Sequence, residues 1–157
     1  GHPDSLSAEV LVSGQGLWRI FNSIITDHQF SAYSKTEQQI LRSSDTAGPL
    51  VSELYDKGDA SARTAFQIMS HFFEICTLSI LNQLIKEGAR DDIPIYLWGG
   101  MANAFDRFTP LAQQGIYKSG YNSKLQKSHF LDIGKNANLI GAIWLAMRYS
   151  PHKTKIF

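Results

Sequence analysis

The sequence predicts an α/β domain in which short parallel strands are covered by long helices. Three stretches carry that reading. The run from Ile93 through Trp98 is β-branched and aromatic, reads as a buried strand, and stops at the adjacent pair Gly99-Gly100 before the helix-forming residues Met101 to Phe105. Residues 60 to 86 form the longest periodic stretch. There Ala62, Ala65, Phe66, Met69, Phe72, Phe73, Cys76, Ile80, Leu81, Leu84 and Ile85 recur at three- and four-residue steps, the mark of a main core helix. Phe130-Leu131-Asp132-Ile133 reads as a second strand, followed by a turn through Asn138 and an apolar helix from Leu139 to about Arg148. Strand, helical connection, strand and helix imply two parallel neighbours covered by helices.

The remaining elements follow in order. Ser13-Gly14-Gln15-Gly16 leads into a helix whose apolar stripe is Leu17, Ile20, Phe21, Ile24 and Ile25; Trp18 lies beside it, and its indole N–H needs a partner if buried. Residues 27–44 turn polar and read as a surface insertion, within which Ser34-Lys35-Thr36-Glu37 has capping-box spacing ahead of Ile40 and Leu41. Asp45 to Pro49 reads as a cap and early proline before Leu50, Val51, Leu54 and Tyr55. Gly58 ends that helix and Asp59 caps the next. Residues 101 to 128 read as helical or turn-like, broken by Gly115 and Gly120.

Composition narrows the function classes. A chain of 157 residues, 43% apolar and 18% charged, fits one globular domain over residues 1–157. Fifteen basic residues against fourteen acidic ones are scattered, so nucleic acid is not an expected partner. The single cysteine, Cys76, excludes an internal disulfide and a multi-cysteine zinc site, which fits a reducing compartment and a cytoplasmic location. His71, beside the core stripe, reads as a boundary histidine, with no second ligand at metal-binding spacing on its face. No apolar run reads as long enough to span a bilayer, so no membrane is expected.

The glycine pair is the first candidate site. Glycines there let a ligand approach main-chain atoms, and the following helix presents free N–H groups and a positive dipole end. In parallel sheets ligands gather at the carboxyl ends of the strands, where the Lys135 to Gly141 turn also falls. Two strands alone leave bare hydrogen-bonding edges, so the chain is expected to be part of a larger domain or to complete its sheet in a partner.

The order of motifs, Ser7-Ala8-Glu9, Ser13-Gly14-Gln15-Gly16-Leu17, a long core helix, a strand ending in Gly99-Gly100, and Asn138-Leu139-Ile140-Gly141-Ala142, resembles the C-terminal half of the bacterial glucokinases over roughly residues 5 to 149. These are sugar kinases of the actin-like ATPase (hexokinase) superfamily, so the resemblance implies the helix-rich C-terminal portion of a ribonuclease H-like domain. It also implies ATP-dependent conversion of glucose, or a related hexose, to its 6-phosphate. By that likeness Glu9 accepts hydrogen bonds from glucose hydroxyls, a task suited to a carboxylate. The same likeness implies that Gly99 and Gly100, with Met101 and Asn103, contact the nucleotide, and that Asn138 and Gly141 belong to the turn near the nucleotide cleft.

The family's phosphate loops, catalytic aspartate and main magnesium ligands come from an N-terminal half whose motifs are missing here. The chain is therefore expected to hold no catalytic residue or metal of its own and to be inactive alone. ATP and Mg2+ are the implied cofactors. Hexose, ATP, the chain's own N-terminal half and a second copy in a homodimer are the implied partners. Trp98 replaces the family's small residue before the glycine pair, and Asp91-Asp92 resembles an insertion. The alternative reading is a non-catalytic sugar- or nucleotide-sensing or interaction module of the same fold.

Overall fold

A computed structural model describes residues 11–97 and 100–127, with the side chains of 100 and 101 left aside. Side-chain caps set most of the helix starts. In α1 (Gly14–Ile24) the extended Ser13 accepts the Gly16 N–H through its hydroxyl at 3.0 Å. The stripe then turns Leu17, Ile20 and Phe21 inward. Trp18 finds the partner its indole requires, donating to the Leu41 carbonyl at 2.6 Å.

The polar segment after α1 contains two short helices, α2 (Asp27–Ala32) and α3 (Lys35–Leu41), each opened by a reciprocal capping box. Thr26 and Gln29 form the first, Ser34 and Glu37 the second. The backbone N–H of Ser34 is the main group holding the Glu37 carboxyl below its ordinary range. Of these residues only Leu41 is fully buried; it anchors α3 in the core.

Helix α4 (Ala47–Asp56) starts behind Thr46, which makes no side-chain cap. Asp45, the expected cap, instead accepts from the Gln15 side chain at 3.1 Å, so its carboxylate ties α4 to α1. Pro49 sits in the first turn, where a missing N–H costs nothing. Gly58, at φ +90°, turns the chain out of α4. Asp59 then does two jobs: Oδ1 accepts the Ala62 N–H at 2.7 Å and Oδ2 accepts the Tyr33 hydroxyl at 2.8 Å.

Helix α5 (Ala60–Lys86) spans the residues that periodicity predicts and packs against α1, α4 and α6 (Phe105–Lys118). Ala62, Ala65, Phe66, Met69 and Leu81 lie in the core. Phe66 meets Tyr55 edge-on, and Phe73 meets Phe108 edge-on with centroids 5.3 Å apart. The buried Ser70 hydroxyl donates to the Phe108 carbonyl at 2.6 Å. The stripe does not stay buried along the whole helix: Ile80, an expected core residue, is 60% exposed and Ile75 is 49% exposed. The helix also corrects the expectation about apolar runs. By length and composition alone, one eighteen-residue window of α5, mean hydropathy 1.3, suffices to cross a membrane. Its apolar residues are interleaved with Ser, Thr and Gln, so no unbroken run marks it in the sequence. His71 is likewise not without a carboxylate on its face, since Glu74 lies one turn on with its oxygen 3.6 Å away.

The sheet among the described residues is β1 (Ile95–Leu97) paired in parallel with β2 (Leu125–Lys127), with Ile95 opposite Leu125 and Leu97 opposite Lys127. The parallel pairing agrees with the sequence reading, but the strand that pairs lies in the stretch read as helical or turn-like. Phe130–Ile133 lies outside the described residues. No pattern in Leu125-Gln126-Lys127 announces a strand; longer-range bonds place it. The Asp91 carbonyl accepts from the Asn122 N–H and the Ser123 hydroxyl, and the Asp91 carboxylate accepts from the Asn122 amide at 2.8 Å. Those bonds fix the entrances of both strands. The Gln113 side chain of α6 then accepts the Leu125 N–H at 2.7 Å and donates to the Ser123 carbonyl at 2.9 Å.

Two further expectations change. Tyr96 points outward, 59% exposed, so β1 alternates and is not buried on both faces. Gly115 does not break the helix but lies inside α6, where the Glu74 carboxylate occupies the place a Cβ would take. Gly120, at φ +88°, does end that helix.

Candidate functional site: a cleft at the starts of three helices

The first turns of α1 and α4 meet closely because both carry glycine. A Cβ on Gly48 would stand 3.1 Å from the Gly14 carbonyl oxygen, tighter than ordinary contact. The third wall is the 3-10 turn Gly100–Ala104 and the start of α6, which follow the carboxyl end of β1. Between these walls lies a cleft of about 440 Å³, within the roughly 300–1,000 Å³ of small-molecule sites. Gly14 and Leu17 line it from α1; Gly48, Pro49, Ser52 and Glu53 from α4; and Asn103, Ala104 and Arg107 from the third wall.

Leu17, Pro49 and Ala104 give the cleft apolar surface, and the glycines let its floor approach a ligand with main-chain atoms alone. Its polar groups have distinct states. Arg107, the one basic side chain lining it among the described residues, spends three of its five N–H groups inside the fold. Its Nε and Nη2 donate to the two oxygens of Asp56 at 3.0 and 2.7 Å, and Nη1 donates to the Asn103 carbonyl at 3.2 Å. That guanidinium holds the Asp56 carboxyl below its usual range, and Asp56 in turn pushes Arg107 up. The pair bolts α4 to α6 and steadies the turn that follows the glycine pair. The Ser52 hydroxyl donates back to the Gly48 carbonyl at 3.2 Å. The Glu53 carboxylate is exposed and has no hydrogen-bond or ion-pair partner among the described residues.

Of the sequence-predicted site residues, Asn103 lies in this cleft, while Gly100 opens the 3-10 turn and Met101 lies within it. Glu9, Gly99, Asn138 and Gly141 fall outside the described residues, as does Trp98. Gly14, from the Ser13-Gly14-Gln15-Gly16-Leu17 motif, is on its wall. Glu53 and the Asp56–Arg107 pair are additions to the sequence reading. Glu53 stands among the polar positions of α4 and belongs to no motif, and Asp56 and Arg107 stand 51 residues apart, so no spacing links them. Among the described residues no group of three His, Cys, Asp or Glu side chains is arranged to hold a metal ion. No protein-family model matches the chain, and no curated protein or solved structure matches it either.

Proposed function

We propose that this chain is the C-terminal half of an ATP-dependent hexose kinase with a ribonuclease H-like fold, and that the cleft takes the nucleoside end of ATP. One observation carries the reading: the Gly14 turn, the Gly48-Pro49 helix start and the turn after the glycine pair, three separate sequence motifs, wall a single ligand-sized cleft. The apolar walls suit a base, and the glycine floor suits close approach.

The cleft does not suit a triphosphate. Its arginine is engaged by Asp56, its remaining charge is the Glu53 carboxylate, and Pro49 removes an N–H from the helix start. On this reading the phosphates and Mg2+ are held by the N-terminal half, hexose is held in part by Glu9, and phosphoryl transfer requires both halves. Asn103 and the Gly100 turn orient the nucleoside, and the Arg107–Asp56 pair keeps that turn in place.

The test is a glucose phosphorylation assay, with ATP and magnesium, on the chain alone, on a protein with the upstream half restored, and on its Glu9→Gln variant. Activity in the restored protein, a large loss in Glu9→Gln and silence from the chain alone are expected. A restored protein that binds ATP but phosphorylates no hexose would sink the kinase reading in favour of a sensor.

A further inference from the structure

The described sheet has two outer edges, and they are not alike. Ile95 donates its N–H to the Lys124 carbonyl at 2.9 Å, so its main chain faces β2, and the alternation of a strand turns the N–H and C=O of Tyr96 to the opposite side. No described residue bonds them. The outer edge of β2 is closed instead: the Gln113 side-chain amide stands where a neighbouring strand would, accepting the Leu125 N–H and donating to the Ser123 carbonyl. Two residues before Tyr96, Pro94 offers a carbonyl but no N–H, so the free edge of β1 centres on Tyr96. A strand added there must set one residue beside Tyr96 on the exposed face. Its two flanking residues must be apolar, because they lie beside Ile95 and Leu97, which pack on the core.

We propose that the occupant is β1 of a second copy of this chain, paired antiparallel about a two-fold axis at Tyr96 to give a continuous sheet in the order β2-β1-β1-β2. Ile95-Tyr96-Leu97 itself has the apolar, exposed, apolar pattern that the edge requires. Laid antiparallel, it sets Tyr96 opposite Tyr96 of the second copy and each Ile95 opposite a Leu97. The two Tyr96 residues then exchange both of their free main-chain bonds. A two-fold interface needs a self-complementary patch, and this edge is one. The two rings, each 59% exposed in the single chain, come side by side on the open face of the sheet. Residues 93–98 carry no charge that would repel a like edge. Three-residue strands bury far less than the roughly 1,200–2,000 Å² of a stable interface, so the dimer forms in a concentration-dependent equilibrium. The pairing does not rest on the kinase reading.

The experiment is sedimentation velocity of the 157-residue chain from micromolar to millimolar concentration, beside Tyr96→Lys, Tyr96→Glu and an equimolar mixture of the two variants. Circular dichroism melting checks that each variant folds, as an exposed side chain predicts. Hydrogen exchange at the Tyr96 amide of the native chain gives a readout that needs no variant. The native chain should dimerise, with the Tyr96 amide gaining protection as concentration rises. Each variant, which sets like charges directly opposite, should weaken the dimer by about tenfold or more, and the mixture should restore it. A native chain that stays monomeric at millimolar concentration overturns the proposal, as does a dimer that both variants keep. A mixture that stays monomeric overturns the two-fold at Tyr96. A Tyr96 amide already protected in the monomer overturns the proposal too, by showing that the same chain occupies the edge.

Discussion

Gly14 and Gly16 lie two residues apart in the first turn of α1, yet alanine at the two positions should act with opposite sign. Helix propensity favours alanine over glycine by up to about 1 kcal/mol in either place. At Gly14 a Cβ meets nothing within 4 Å, so Gly14→Ala should be neutral or stabilising by up to about 1 kcal/mol. At Gly16 the same atom would stand 2.3 Å from the Leu11 carbonyl oxygen and 2.8 Å from its Cα, both inside the 3.0 Å that Cβ atoms essentially never cross. Those are backbone atoms, which no rotamer change moves aside. Relief requires displacing the segment before Ser13 or the first turn of α1, an overpacking cost of about 1–3 kcal/mol that outweighs the propensity gain. The propensity gain is common to both, so the two variants should differ by the overpacking cost of about 1–3 kcal/mol, or roughly 2–12 °C in melting temperature for a chain of this size. Thermal and urea unfolding followed by circular dichroism would measure the gap. A Gly16→Ala protein as stable as Gly14→Ala would refute the close passage of Leu11 over α1.

Four other substitutions probe separate contacts. Ser70→Ala removes a buried hydroxyl from the Phe108 carbonyl and should cost about 1 kcal/mol in urea unfolding. Trp18→Phe takes the indole N–H from the Leu41 carbonyl and trims the packing; a loss of about 1–3 kcal/mol is expected, with α3 fraying first in amide exchange. Asp56 has a depressed carboxyl in the fold, so its ion pair stabilises fully above the ordinary aspartate value near about 4 and is lost as pH falls through the lower folded value. Asp56→Asn should therefore flatten the acid limb of a stability-against-pH curve below about pH 4 while leaving its shape near neutrality unchanged. Ile80→Lys, on the exposed side of α5, should change stability by no more than about 0.5 kcal/mol, and a large loss would show that this face is covered.

What the sequence makes legible is what local chemistry decides. The span of α5 follows from its three- and four-residue repeat. Its start follows from Asp59 as a cap, and the helix ends at Gly58, Gly88 and Gly120 follow from the positive φ that glycine allows. The Ser34 box and the need of Trp18 for a partner are local in the same sense. The second strand is not, because Leu125 to Lys127 is held by Asp91 and Gln113 and carries no alternation of its own. Ile80 misleads because periodicity shows which residues share a face of a helix, not how far along the helix that face is covered. The site divides the same way: glycine turns announce two of its walls, whereas the Arg107–Asp56 bond that joins them depends on which helices become neighbours.

Helix α4 shows how fold and site can be separated by experiment. Leu50, Val51 and Leu54 fill the core with one face of the helix, while Ser52, Glu53 and Asp56 fall on the opposite side of the wheel and line or brace the cleft. The spacing that buries one set exposes the other, so a change at Glu53 alters the cleft's charge without opening a cavity behind it. A change at Leu54 does the reverse, at about 2–5 kcal/mol for alanine. Asp56 stands between the two cases, because its partner Arg107 also holds the Asn103 carbonyl. Loosening that pair should therefore free the turn and weaken whatever binds against it, whereas Glu53→Gln removes a charge from the cleft and leaves the turn in place. Amide exchange at Asn103 and Ala104 distinguishes the two, rising when Asp56 is changed to Asn and staying level in Glu53→Gln.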